Sequence, residues 1–298
     1  MARAAGTGGG LRCRVAATAA AGSAALLPVA VMAGAWTLEP GTGQIIVGLE
    51  SKLATQQFDG KGERVPRDRF AKTELSAYGE YGLVDGLTVL FSPRVEDVND
   101  SSQWGGARTG LGYTEIGARV RFVRFDVQEP GGQEAGSQEA GSQEAGVWRG
   151  SVVSLQGSVR IPGSVDDNDP LLIGNNVFEI DARLLFGTSF MLGSWSSFVN
   201  AEAGYRWRDG DPPSELRGDL TFGVRPRPDW LALAQVFQVT TVGGGSGGFR
   251  AGAYTRVQLS VVHDLDARWS LQVGANSVVA GRRALAENGV MLAVWRRF

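Results

Sequence analysis

The chain closes on GVMLAVWRRF, Gly289 to Phe298. Val290, Leu292 and Val294 alternate with other residues, and the last residue is a bare aromatic. A globular domain usually lets its terminus fray into polar residues. Here the chain stops inside a pattern of period two, the period at which successive side chains fall on opposite faces of a strand.

The same alternation recurs upstream. Ile45, Val47 and Leu49 share one parity in Gly43 to Leu53, with Gly48, Glu50 and Lys52 on the other. Phe70 to Tyr81 sets Ala71, Leu75, Ala77 and Tyr81 against Lys72, Glu74, Ser76, Tyr78 and Glu80. Val89, Phe91 and Val95 oppose Thr88, Ser92, Arg94 and Glu96; Ile116, Val120 and Phe122 oppose Glu115, Arg119 and Arg121. Further on, Leu155 and Ile161 oppose Gln156 and Arg160, and Ile180, Leu184 and Phe186 oppose Glu179, Asp181 and Arg183. Tyr205 and Trp207 oppose Glu202 and Arg206, and Leu216 and Leu220 oppose Arg217 and Asp219. Trp230 to Thr241 is less regular. Val257, Leu259 and Val261 then oppose Arg256 and Ser260, and Leu271 and Val273 oppose Ser270 and Gln272. About twelve strands result, each near the ~10 residues that a tilted strand needs to cross a bilayer.

The beginning differs. Arg3, Arg12 and Arg14 precede an apolar, Ala-rich run from Val15 to Met32, which ends in Ala33-Gly34-Ala35. Residues 1–35 therefore read as a secretory signal peptide, with Trp36 the first mature residue. A membrane-anchoring helix, the competing reading, would carry a basic stop-transfer flank. Cleavage would move the formal charge from −2 to −5 and remove Cys13, the single cysteine. A disulfide-stapled secreted domain is thereby excluded. Without a basic surplus there is no case for nucleic acid. Residues 36–298 form one domain.

Connections also alternate. Short turns are expected at Gly82–Gly86, Pro226–Asp229 and Asp264–Arg268. Longer loops are expected at Thr55–Arg69, Asp97–Arg108, Pro162–Asn176, Arg208–Ser214, Val242–Arg250 and Ala280–Asn288. Residues 126–147 break the rule: a short periplasmic turn is due by parity, yet the segment carries QEAGSQEAGSQEAG, Gln133 to Gly146. It is too polar and Gly-rich to bury a core and reads as a disordered insertion. Aromatics near strand ends (Trp36, Phe70, Tyr81, Phe122, Trp148, Trp195, Trp207, Trp230, Trp269 and Trp295) suggest interfacial girdles.

In lipid every backbone N–H and C=O needs an internal partner, which for strands requires a closed sheet. The expected fold is thus an all-β, antiparallel up-and-down transmembrane barrel of about twelve strands, with a polar lumen. Its expected location is the outer membrane of a Gram-negative bacterium, among outer-membrane lipids. A soluble barrel or sandwich would put the apolar faces inside; alternation alone does not separate the two. Signal peptide, loop asymmetry and terminal aromatic favour the membrane. Barrels of this kind often end in an alternating strand with a final aromatic, which the barrel-assembly machinery recognises. Val290, Leu292, Val294 and Phe298 fit that signal, while Arg296 departs from it.

The stretch AKTELSAYGEYGLVDGLTV, Ala71 to Val89, with GQIIV before it and the closing WRRF, resembles outer-membrane proteins designated as transporters, some grouped with the meta-pathway of phenol degradation. These residues are strand-and-turn chemistry. The resemblance implies architecture and transport and assigns no binding residue.

Candidate chemistry is sparse. His263, beside Asp264 and near Ser260, suggests a triad on the pattern of an outer-membrane hydrolase. Ser260 and His263 have opposite parity, however, so a rim histidine is the simpler reading and no enzyme is expected. Asp166, Asp167 and Asp169 lack the spacing and closing Glu of an EF-hand. Gly243 to Gly248 lacks the Lys and helix of a phosphate loop. No Cys/His cluster offers a zinc site, and no cofactor is expected. The inward parity collects Lys72, Glu74, Glu80, Arg94, Glu115, Arg119, Arg121, Glu179, Asp181, Arg183, Glu202, Arg206, Arg217, Asp219 and Arg256. Both signs occur, so these residues either line a conduit for a small solute or brace the lumen through ion pairs. The expected function is passive passage of a small molecule, against the alternative of a structural or adhesive barrel without a pore.

Overall fold

The computed structural model describes residues 34–102, 105–126, 148–163, 177–245 and 250–298. The described strands are β1 (Gly43–Phe58), β2 (Arg64–Val84), β3 (Leu87–Ser92), β4 (Arg94–Asp100), β5 (Gly106–Leu111), β6 (Thr114–Asp126), β7 (Trp148–Ile161) and β8 (Glu179–Leu192). They continue with β9 (Trp195–Arg208), β10 (Ser214–Arg227), β11 (Trp230–Val242), β12 (Ala253–Asp264), β13 (Trp269–Arg282), β14 (Ala284–Leu285) and β15 (Asn288–Arg297). β3 and β4 are one stave interrupted at Pro93, which has no N–H for the ladder. β5 and β6 are one stave interrupted at Gly112 and Tyr113, and β14 is a two-residue bridge in a hairpin. Twelve staves therefore form the barrel. Neighbours pair antiparallel throughout, and β1 closes the sheet by pairing with both β2 and β15. Phe298 completes the seam: its N–H donates to the Gly43 carbonyl at 3.0 Å, and the Gly43 N–H donates to its carbonyl at 2.8 Å.

The two faces have the polarity of a lipid-facing barrel. Outward positions are apolar and exposed, as at Leu259 (66%) and Leu292 (59%). Inward positions are polar and buried, as at Glu179 (0%) and Asp181 (1%). The soluble alternative, with apolar faces inside, is excluded by this inversion. A 14-residue strand such as β9 rises about 46 Å along its axis; tilted by about 40°, it spans about 35 Å, enough for an apolar band of ~25 Å.

Four of the five connections at the end holding the C-terminus are short, residues 85–86, 193–194, 228–229 and 265–268; the fifth, residues 127–147 between β6 and β7, carries the expected insertion and lies outside the described residues. At the other end the connections run longer, up to residues 162–178. Two expected long loops are corrected. Thr55–Arg69 is mostly a continuing hairpin, with Gln57 paired to Val65 and Phe58 to Arg64 beyond a bulge at Ala54/Gln56. Asp97–Arg108 is likewise mostly ladder, Asp97 pairing with Thr109 and Asn99 with Ala107. Both are mostly polar because the hairpins outrun the apolar band, where alternation is no longer imposed; Phe58 and Val98 are the buried apolar exceptions. Ala280–Asn288 contracts too, since β13 runs to Arg282. The 1–33 part of the expected signal peptide, the Gln133–Gly146 repeat and the Asp166–Asp169 cluster lie outside the described residues.

Two of the expected girdle aromatics turn inward. Trp295 is 4% exposed and donates its indole N–H to Gln272 Oε1 at 3.0 Å inside the barrel. Trp36 also lies inside, edge-on to Phe198 with centroids 6.0 Å apart. Tyr81, Phe122, Trp195, Trp230 and Trp269 do remain exposed near the short-turn end. The side chain of Trp148 lies outside the described residues.

Candidate lumenal site

The segment 34–42 runs into the barrel before β1 begins. Arg119 Nη1 donates to the Trp36 carbonyl at 3.0 Å, and the Leu38 N–H donates to Thr88 Oγ1 at 2.8 Å. Ser154 Oγ donates to the Ala35 carbonyl, and the Ala35 N–H donates to Asn200 Oδ1 at 2.7 Å. Gly41 and Thr42 then hydrogen-bond to Gly82. Two glycines make room: a Cβ on Gly187 would stand 2.5 Å from the Trp36 ring, and one on Gly82 would stand 2.2 Å from the Glu39 carbonyl oxygen. With Phe198, Leu231, Leu233, Val262, Ala293 and Trp295, the Trp36 ring fills the short-turn end of the lumen with apolar groups.

Above this plug the expected lumenal charges form ion pairs. Glu80 is fully buried; it accepts from Gln44 Nε2 at 2.7 Å and from Tyr78 at 2.5 Å, and pairs with Arg119 at 3.0 Å. Arg119 also holds Gln156 Oε1. Lys72 lies 2.8 Å from Glu96 and 3.5 Å from Glu74, which Arg94 meets at 3.5 Å. Glu115 accepts from Ser158 at 2.7 Å and faces Arg160 at 3.5 Å. Glu179 takes both Arg160 and Arg208. Asp181 holds Arg183 at 2.7 Å and Arg206 at 2.9 Å, and Arg183 reaches Glu202 at 3.1 Å and Asp219 at 2.7 Å. Arg217 shares Glu215 with Arg206 and Arg208. From β6 to β9 the sign alternates between staves at matched heights, as at Glu115, Arg160, Glu179 and Arg208. On β1, β2 and β4 like charges stand side by side, Glu50 with Glu74 and Glu96 and Lys52 with Lys72, and are offset by pairs along a strand or on the diagonal.

Two expected lumenal residues behave otherwise. Arg121 reaches down to Asp85 in the short turn, at 2.7 Å, and belongs to the rim. Arg256 forms no ion pair among the described residues; it lies over the Phe237 ring at 4.8 Å. Several partners escaped the sequence-based set. Arg208 fell where a loop was expected, and Glu215, Arg160, Glu96 and Lys52 carry the inward parity that would have found them. Asp264, in a presumed turn, pairs with Arg225 and Arg297, each at 2.8 Å.

A cavity of about 700 Å³ opens above the ladder, towards the longer loops. Eleven cationic and six acidic side chains line it. His263 stands outside it, stacked on Trp230 with centroids 4.4 Å apart, its Nδ1 3.2 Å from the Asp229 carbonyl. Ser260 faces inward and accepts from Gln272 at 2.9 Å. The barrel wall thus separates the two members of the suggested triad. No group of three or more metal-ligating side chains occurs among the described residues.

No protein-family model and no curated protein matches the chain. Solved structures do. An outer membrane channel from Pseudomonas putida F1 superposes at a TM-score of 0.66 with 15% identity, over 89% of this chain and 98% of that one. Weaker likenesses are to the NanC porin (TM-score 0.47, 8% identity, 83% and 98% covered) and the KdgM porin (0.42, 10%, 85% and 99%). With its polarity inverted, its short turns gathered at one end and its staves closed through Phe298, the chain has the fold of an outer-membrane β-barrel.

Proposed function

We propose that the protein is a passive outer-membrane channel for a small solute in a Gram-negative bacterium, with the short-turn end towards the periplasm. The observation that carries this is the charge-lined cavity of about 700 Å³ inside a wall whose exterior is apolar. A barrel needed only as an anchor gains nothing from keeping such a volume open. The resemblance to transporters grouped with the meta-pathway of phenol degradation agrees with transport and names no solute. In this reading residues 1–35 are the cleaved signal, so the Ala35 contacts are lost on processing and the Trp36 segment is held by its bonds to Arg119 and Thr88. The inward charges line and brace the conduit, and the terminal strand with Phe298 addresses the chain to the barrel-assembly machinery.

A pore-free barrel is the second reading, favoured by the Trp36 segment packed across the short-turn end. Refolded protein in a planar bilayer separates the two. Discrete conductance steps support the channel, and Trp36→Gly should enlarge them by removing the ring from the lumen. Silence of both proteins would leave the structural barrel.

A further inference from the structure

The ion-pair ladder is unevenly distributed around the cavity. From Trp230 to His263 the sequence contains no acidic residue at all, while Arg250 and Arg256 occur within that span. β11 and β12 therefore present a wall without carboxylates as far as Asp264, which ends β12 at the short-turn rim. Of the six acids lining the cavity, Glu74, Glu96, Glu115, Glu179 and Glu215 are already engaged by cations, and Glu287 forms no ion pair among the described residues. Among the lining cations, Arg250, Arg256 and Arg283 form no ion pair within the described residues, and Arg217 has only Glu215, which it shares with Arg206 and Arg208, themselves held by Asp181 and Glu179. The local surplus is positive, and it sits on one side. A cationic solute would find its acids occupied.

Arg256 has a further property. Its Nε is buried without a protein partner, as is that of Arg217 on the adjoining wall. Phe237 holds the Arg256 guanidinium by its face, an arrangement that leaves the N–H fork free for a planar acceptor. Beside it stand Val239, Tyr254 and Val278, all lining the cavity, the last packed with Phe58 and Ala286. A guanidinium next to an apolar wall recognises a carboxylate attached to a compact apolar body.

We propose that the loop-end cavity binds a small organic acid, with Arg256 and Arg217 holding its carboxylate and Val239, Tyr254 and Val278 contacting its apolar body. This names the solute class of the channel proposed above, and rests on that reading only for the claim that the bound acid passes through. Calorimetry on the full mature chain in detergent, with benzoate as probe, tests the binding. Benzoate should bind at least tenfold more tightly than the isosteric neutral benzamide, and more tightly than acetate. Arg256→Gln should weaken benzoate about tenfold or more, the loss expected for one hydrogen bond to a charged group. Arg121→Gln, in the opposite rim, should change nothing. Equal binding of benzoate and benzamide, or an unchanged affinity in Arg256→Gln, would overturn the carboxylate site; acetate equal to benzoate would overturn the apolar wall. The same preparation in planar bilayers keeps the two readings apart. Benzoate binding without conductance sinks the channel and keeps the site, and conductance without benzoate binding does the reverse.

Discussion

Arg119→Met is the sharpest test of the lumenal ladder. The side chains of Arg119 and Glu80 are 3% and 0% exposed, with 3.0 Å between Nη2 and Oε1. Replacing Arg119 with a side chain of similar length keeps the packing and strands the Glu80 carboxylate, still hydrogen-bonded to Gln44 and Tyr78, without its counter-charge. Breaking one side of a buried pair costs about 3–5 kcal/mol. The neighbouring lumen is polar and admits some water, so the lower figure, about 3 kcal/mol, is the expected one, a factor of roughly 150 in the unfolding constant. The Trp36 carbonyl and Gln156 lose their donor in the same step. In Arg119→Met/Glu80→Gln the stranded charge is gone, while the amide oxygen still accepts from Gln44 and the amide NH2, in place of the other oxygen, can donate to the Tyr78 hydroxyl. The double variant should therefore recover more than half of the loss. Urea unfolding of the barrel in lipid vesicles, followed by heat-modifiable gel migration, measures all three proteins. A single-variant cost below about 1 kcal/mol, the value of an exposed pair, would refute the buried ladder. A double variant no better than Arg119→Met would show that the lost contacts, and not the stranded charge, set the cost.

Other consequences are simpler to check. Leu259→Arg puts a charge on the lipid face near the middle of β12 and should cost roughly 2–4 kcal/mol in vesicle refolding; Gln258→Ala, facing the lumen next to it, should cost less, and the opposite order would invert the assigned faces. Asp266 caps the turn 265–268 by accepting from the N–H groups of Arg268 and Trp269, which holds its carboxyl below the usual value of 3.8. The turn's contribution is then full above that value and lost as pH falls through the lower folded one, so Asp266→Ala should destabilise at pH 6 by an amount that shrinks as pH falls below 3.8; a penalty independent of pH would contradict this. Deleting Phe298 should reduce insertion in cells and leave refolding from urea intact, because only the final rungs to Gly43 are lost; normal insertion would dismiss the terminal aromatic as an assembly signal.

The barrel was legible because lipid enforces a strict rule on the outer face. Each stave that crosses the apolar band must place every second side chain in hydrocarbon, so Ile45 to Leu53 or Leu271 to Val273 announce themselves one strand at a time. Where the rule stops, so did the reading. The hairpins of β1 with β2 and of β4 with β5 continue past the band; their pairing is held by backbone hydrogen bonds, which any polar residue makes equally well. The aromatics were misread for a related reason. Trp36 and Trp295 are as apolar as the girdle residues, and only parity separates them: Trp295 falls on the inward side with Ala293 and Met291, a distinction that strand-end position alone conceals.

The inner face is harder because nothing outside the barrel constrains it, and the irregular strand shows this most clearly. β11 sends Leu231, Leu233, Phe237 and Val239 inward, against the trend of every charged stave. In the sequence this looked like weakened alternation. In the barrel it has two physical causes at two heights. Leu231 and Leu233 meet the apolar plug built around Trp36 and Trp295, where a charge would have no partner. Phe237 and Val239 sit higher, beside Arg256, where the absence of acids leaves a guanidinium unneutralised. The loss of period in β11 and the lack of acids from Trp230 to His263 are thus two signs of one arrangement. One wall of the lumen has given up the pairing that stabilises the rest, and the cation it leaves over faces the cavity. Where most inward charges are compensated by ion pairs, an Arg256 that has none among the described residues costs stability unless a ligand brings the missing anion, and that cost is the physical ground for reading this wall as the solute-binding one.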